Sequence, residues 1–253
     1  KKMSKSRGNV IEPKEIINKF GADCARFYFY TINPAGEVKR FDFKDAQSLY
    51  RKFFDTLWQS YIFFSTYTDK SFKSKKNFRP KNLLDRWIIS RLENLNSQVS
   101  KNLDSYDTVS AARALLDFVD DLSNWHIRRS RRRFQKPETK EIKEEASQTL
   151  YYALLKLTKL IAPFTPFIAE ELYQKLNGAE KSVHLCGYPE QNKKLISAEL
   201  EKKMEKIREI ITEALAQRAE AGIKVRQPLA SLKIPNPLDP KGTPRRVASQ
   251  IPN

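Results

Sequence analysis

The sequence predicts a mainly α protein, an antiparallel bundle of four or five long helices with a short mixed segment before it and a strand remnant after it. Three observations lead there. Only seven glycines occur in 253 residues, and alternating β-branched runs are few. Apolar residues recur at spacings of three and four over long stretches. Side chains suited to capping stand just ahead of several of those stretches.

Pro13 opens a first short helix, Lys14 to Phe20, which Gly21 breaks. Asp23 to Ile32 forms a second, dense enough in Ala25, Phe27, Tyr28 and Tyr30 to be mostly buried. Asn33-Pro34-Ala35-Gly36 is a turn by composition. Asp42 is an N-cap for a long helix from about Phe43 to Tyr67, with Leu49, Phe53, Leu57, Tyr61 and Phe64 inward. Lys70 to Lys81 is a polar, basic loop. Asn82 caps the next helix, whose inner face is Trp87, Ile88, Leu92, Leu95 and Val99. Thr108 to Phe134 is one more long helix. Pro137 suits the first position of a helix running through Leu150, Leu154, Leu157 and Ile161. Pro163 and Pro166 must kink or interrupt it, since each removes a backbone donor. The pattern resumes at Ile168 and stops near Gly178. Ser197 caps a last helix that ends at Gly222, and Lys224 to Ile234 is extended.

Forty-seven Lys and Arg against 30 Asp and Glu leave a formal charge of +17. An excess of this size favours a polyanionic partner, because neutralising phosphates releases condensed counterions. Nucleic acid is the first candidate and an anionic membrane the second; the plain alternative is a lysine-rich solvated surface. No stretch reaches the roughly 18 apolar residues of a membrane span. Cys24 and Cys186 are far apart, as are His126 and His184, so no zinc or other metal spacing is present. Cysteine usage fits a reduced, cytosolic setting.

The chain opens on Lys2-Met3-Ser4-Lys5-Ser6, followed by Arg7-Gly8-Asn9-Val10. Two ammonium groups, two hydroxyls and a glycine on one short segment suit the grip of a polyphosphate. Such a loop needs a nucleotide pocket to close on, and the expectation is that this pocket lies upstream, in a larger enzyme.

The helix from Thr108 carries a second signal. Its stripe Ala111, Leu115, Phe118, Leu122, Trp125 is apolar and then continues as Arg129 and Arg133. Arginine cannot be buried unpaired, so the helix is expected to leave the bundle near Trp125, with Trp125 either finishing the core or adding a stacking face to the arginines. Arg128, Arg129, Arg131, Arg132 and Arg133 crowd the exit. Either they complement the helix dipole and pair with Asp120, Asp121 or other acids, or they form a phosphate- and base-contacting cluster.

Lys2 to Ser6 resembles the KMSKS signature of class I aminoacyl-tRNA synthetases. Gly8-Asn9-Val10, Pro13 and Gly21-Ala22-Asp23 with Arg26 resemble the segment that joins the catalytic and anticodon-binding domains in the isoleucyl, valyl and leucyl subgroup. Arg51-Lys52-Phe53-Phe54, Thr56-Leu57-Trp58, Asp85-Arg86-Trp87-Ile88, Leu122-Ser123-Asn124-Trp125, Arg128 to Phe134 and Lys224 to Leu229 are most similar to the isoleucyl branch. The chain departs from it at Gln59, His126 and Gln135, where Asn, Tyr and Trp are usual. The last two departures leave the phosphate reading intact and weaken aromatic stacking around the arginines.

The resemblance implies three sections: residues 1–40 as the KMSKS loop and the connecting end of a catalytic domain, 41–222 as a helical anticodon-binding domain, and 223–253 as the start of a further region. It implies an enzyme that activates isoleucine with ATP and Mg²⁺ and then charges tRNA(Ile), monomeric and cytoplasmic. The piece alone is expected to be inactive and to hold no cofactor. Lys5 would meet the charge developing on the phosphates in the transition state, with Lys2 assisting and Met3, Ser4 and Ser6 completing the ATP loop. Trp125, Arg128, Arg129, Arg132 and Arg133 would contact the tRNA. The alternatives are a valine-tRNA ligase and a non-catalytic basic helical module that binds RNA.

Overall fold

The computed structural model describes residues 11–34, 36–38, 41–75, 78–229, 231–234 and 245–248. Two compact units divide the chain, residues 1–197 and 198–253.

In the first unit, α1 (Pro13–Phe20) ends at Gly21, whose φ of +83° lets the chain turn straight into α2 (Ala22–Thr31). The long helix that follows has three parts: α3 (Phe43–Leu49), a π-helical turn (Tyr50–Asp55) and α4 (Thr56–Tyr67). Asp42 caps α3 by accepting the Lys44 and Asp45 amides at 2.6 and 3.4 Å. Asn82 likewise caps α5 (Leu83–Asp104), accepting from Leu84 N at 2.9 Å. A tight turn with Tyr106 at φ +60° reverses the chain into α6 (Thr108–Asp120). A second π-helical turn (Asp121–Ile127) then leads into α7 (Arg128–Gln135). Next comes α8 (Lys140–Ile161), capped by Thr139. Its start lies three residues beyond Pro137, so the proline precedes the helix and does not open it. The two prolines near its end act as expected: α8 stops at Ile161, and Pro166 sits at the start of α9 (Pro166–Lys175).

The core lies where α5, α8 and the two π-containing helices meet. Phe53, Leu57, Trp87, Ile88, Leu92, Leu115, Phe118, Leu122, Leu150, Leu154 and Leu157 are all fully or almost fully buried. Helix α2 is fastened to the α8–α9 junction from both sides. The Asp23 carboxylate accepts the Ile168 amide at 2.7 Å, at the start of α9. The Arg26 guanidinium reaches the carbonyls of Pro163 and Phe164, each at 3.4 Å. Each charge thus meets the helix end whose dipole it complements.

The second unit holds α10 (Ala198–Glu220) and a two-stranded antiparallel sheet, β1 (Ser231–Ile234) and β2 (Arg245–Ala248), with Ser231 opposite Ala248 and Ile234 opposite Arg245. Gly222, at φ +66°, follows α10 in the left-handed conformation expected of it. The mainly α fold predicted from the sequence holds, with strand only in this short pair among the described residues.

Two buried carboxylates tie the first unit together. Glu93 on α5 is fully buried; Lys156 Nζ lies 2.7 and 2.8 Å from its oxygens, and the Asn192 amide donates to it at 2.7 Å. Asp85, also fully buried, accepts both nitrogens of the Arg133 fork at 2.8 and 2.7 Å and lies 2.8 Å from His126 Nε2. Arg133 also lies 3.5 Å from Glu145 of α8, whose carboxylate accepts the Asn82 amide.

Removing one partner of a buried pair strands the other charge. Lys156→Met is therefore expected to cost about 3–5 kcal/mol, measured by urea unfolding. Asp85 adds a pH signature. Burial pushes its carboxyl up, but hydrogen bonds from His126 and Arg133 outweigh burial and hold it below the usual carboxylate range. An unfolded aspartate titrates at about 3.9, so the stabilisation is complete above that pH and is lost as pH falls through the folded value. Across that window the unfolded chain holds about one extra proton, a slope of about 1.4 kcal/mol per pH unit. Asp85→Asn is expected to lower stability at neutral pH and to flatten this acid limb, as read from unfolding midpoints across an acid-to-neutral series.

Candidate nucleic-acid interface

The π-helical turn Asp121–Ile127 shifts the register in which the arginine segment meets the bundle. A straight α ladder would carry the stripe Ala111, Leu115, Phe118, Leu122 on to Trp125, Arg129 and Arg133. The wider turn accommodates one extra residue. At its end and beyond it the buried positions are His126, Ile127, Ser130 and Phe134. The segment stays on the bundle and does not depart from it.

Trp125 consequently does not finish the core. It is half-buried, and the Arg129 guanidinium lies over its ring, 3.6 Å from the centroid. Planar guanidinium and indole make a favourable cation–π stack. Arg128, Arg129, Arg131 and Arg132 are exposed, Arg132 by 81% of its side chain, with Glu138 3.6 Å away. Arg133 is different. Only 14% of its side chain is exposed, and its fork is held by Asp85. The two explanations for the arginine cluster thus divide among its members: internal pairing describes Arg133, and an outward cationic face describes the other four. Asp121, one of the acids expected to pair with the cluster, accepts from Arg91 at 3.1 Å.

A groove of about 560 Å³ runs between α4 and this segment. Gln59, Ile62, Phe63 and Tyr67 line one side, and Asn124, Arg128 and Arg131 line the other. Aromatic, amide and guanidinium side chains therefore line one open channel. That combination can stack on a base, bond its edge and neutralise adjoining phosphates. Among the described residues neither Arg128 nor Arg131 has a carboxylate partner. Sequence reasoning does not find this groove, although Gln59 and Asn124 are polar residues beside an aromatic at the right place on two helices.

Lys2, Met3, Ser4, Lys5 and Ser6 lie outside the described residues. No cluster of three or more His, Cys, Asp or Glu able to hold a metal occurs among the described residues, and none of their helices is long and apolar enough to cross a membrane.

Residues 85–234 match the family model described as the anticodon-binding domain of tRNA ligase, and residues 1–42 match that of class I tRNA synthetases (I, L, M and V). The isoleucine–tRNA ligase of Dehalococcoides mccartyi (strain CBDB1) is 43% identical over 99% of this chain, and that of Thermus thermophilus is 41% identical over 99%. The chain spans 26% and 25% of the length of those two relatives. Among solved structures, the LeuRS of Agrobacterium radiobacter K84, in a ternary complex with tRNA and LeuAMS, superposes with a TM-score of 0.58 at 22% identity over 79% of this chain and 23% of its own. The methionyl-tRNA synthetase of Mycobacterium tuberculosis gives 0.56 at 18% over 70% of this chain and 36% of its own. A helical bundle carrying an outward arginine face, joined in sequence to a KMSKS run, thus has its place: the chain belongs to the anticodon-binding domain family of tRNA ligases, and its residues 1–42 match the class I tRNA synthetases.

Proposed function

We propose that this chain is the tRNA-holding section of an isoleucine–tRNA ligase, and that the groove beside Arg128 and Arg131 receives the anticodon arm of tRNA(Ile). One observation carries the reading: four arginines project outward from the very segment that the family match covers, and two of them, Arg128 and Arg131, line a groove of about 560 Å³. An anticodon loop offers unstacked bases, the form in which RNA sequence is most readily recognised. Trp125 with Arg129 supplies a stacking face, and Arg132 a further phosphate contact. Arg133 serves from inside, by holding the segment in place. Residues 41–222 then form the anticodon-binding part, 1–40 the end of the catalytic part and 223–253 the opening of a further region.

In the whole enzyme, isoleucine and ATP with its magnesium would give an adenylate and pyrophosphate, and the aminoacyl group would pass to the 3′ end of the tRNA. Negative charge grows on the phosphoryl oxygens as the carboxylate attacks. Lys5 meets that charge near the transition state, Lys2 assists, and Met3, Ser4 and Ser6 shape the loop. The working unit is a monomer in the cytoplasm, in keeping with two free, distant cysteines.

Two outcomes are expected. Arg128→Ala/Arg131→Ala in this chain weakens tRNA(Ile) binding and reduces the slope of log K against log salt by about 0.7–0.9 for each phosphate that is no longer neutralised. The measurement is a binding titration at several salt concentrations, with tRNA(Val) as competitor; preference for tRNA(Val) would move the reading to the valyl enzyme. In the full-length ligase, Lys5→Ala lowers kcat for isoleucine-dependent pyrophosphate exchange by about 10²–10³-fold and changes the isoleucine KM little.

A further inference from the structure

The split between four outward arginines and one inward arginine needs a cause, and apolar packing alone is a weak one. Helix α7 is eight residues long and buries only Ser130 and Phe134. The polar atoms it turns inward are poorly served: Ser130 Oγ, Arg133 Nε and, in the preceding turn, His126 Nδ1 are buried without a hydrogen-bond partner among the described residues. Each orphaned group weighs against this rotation of the helix. One group offsets them. His126 and Arg133 stand seven residues apart, two helical turns, and both end on the carboxylate of Asp85. Between these anchors lie all four outward arginines.

We infer that Asp85 is the positioning residue of the arginine face: by holding His126 at one end and Arg133 at the other, it fixes the rotation of residues 126–133 and so selects Arg128, Arg129, Arg131 and Arg132 to point outward. The inference rests on the reading of that face as the tRNA-binding surface. A carboxylate suits the task because it accepts from the two arms of a guanidinium and from an imidazole at once. An asparagine in its place would turn an N–H donor toward a partner that can only donate. The location of Asp85 on α5, a long helix within the core, makes the anchor rigid. Glu145 supports Arg133 from α8 while accepting the Asn82 amide, so the start of α5 and the end of α7 are fixed to the same body.

The test uses the full 253-residue chain, as Asp85→Asn and Arg133→Lys. The lysine keeps the charge but cannot fork. Hydrogen exchange followed by mass spectrometry reports on residues 121–135, and titration with a tRNA(Ile) transcript at several salt concentrations reports on the face. Both variants are expected to exchange faster in 121–135 while α8 keeps its protection. If the outward rotation falls to about one tenth of the population, apparent affinity falls about tenfold. The salt slope also becomes shallower by about 0.7 or more for every phosphate the face ceases to reach, which simple destabilisation would not produce. Unchanged exchange and unchanged salt slope in both variants overturn the inference, whatever the change in affinity. Faster exchange with undiminished tRNA binding upholds the positioning role and instead removes the tRNA reading of the face. If Asp85→Asn fails to fold by circular dichroism, Arg133→Lys alone decides by the same criteria.

Discussion

The Asp85 carboxylate is the constraint on which the arrangement of the first unit's basic face depends. It is out of contact with water and is met by two cationic or proton-donating side chains from one helix. A buried ion pair of this kind is a poor source of net stability, because desolvation consumes most of the Coulomb gain. Its value lies in direction. Apolar contacts tolerate small rotations of a helix, whereas a two-armed hydrogen bond onto a carboxylate does not. The cluster therefore specifies a rotation that Ile127 and Phe134 favour but cannot enforce.

The same contrast explains what is legible in the sequence. Helix starts at Asp42 and Asn82, the break at Gly21 and the interruption by Pro163 and Pro166 all follow from local chemistry, and the fold has each of them in its expected place. The inner face of α5 is equally plain, since Trp87, Ile88, Leu92, Leu95 and Val99 keep a single period. The two π-helical turns are not legible. A π turn is one extra residue in a ladder, and nothing in composition announces it; its trace is a periodic stripe that runs into residues which cannot be buried. The passage from Leu122 through Trp125 to Arg129 is such a trace. On periodicity alone it predicts a helix leaving the bundle, with Trp125 as the last core residue. The fold resolves the same conflict by widening one turn, which brings His126 inward and leaves Trp125 at the surface. Asp85 is equally hidden. Third in a helix capped by Asn82, it has the position of an ordinary dipole-complementing acid, and only the tertiary fold brings Arg133 to it.

Five arginines within six residues repel one another, and the structure disposes of that repulsion unevenly. Arg133 is neutralised internally by Asp85 and Glu145. Arg132 has a distant, solvent-exposed acid in Glu138, an interaction of small strength at that exposure. Arg129 lies on the Trp125 ring. Arg128 and Arg131 are left at the lip of the groove with no carboxylate partner among the described residues. Positive potential is thereby concentrated beside a channel whose walls offer rings and amides. An anion approaching within about 8–10 Å, the screening length at physiological salt, is drawn to that channel.

This distribution makes the interior and exterior of one short helix serve a single end. Were all five arginines exposed, the segment would bind polyanions in many orientations, since phosphate contacts by themselves carry no sequence information. Were more of them paired internally, the groove would lose its attraction. Holding one arginine inside fixes the others relative to the groove walls, and fixed geometry is what converts a general affinity for phosphate into contact with particular bases. The buried pair thus limits the ways in which the face can be used, and that limit is the physical content of recognition at such a surface.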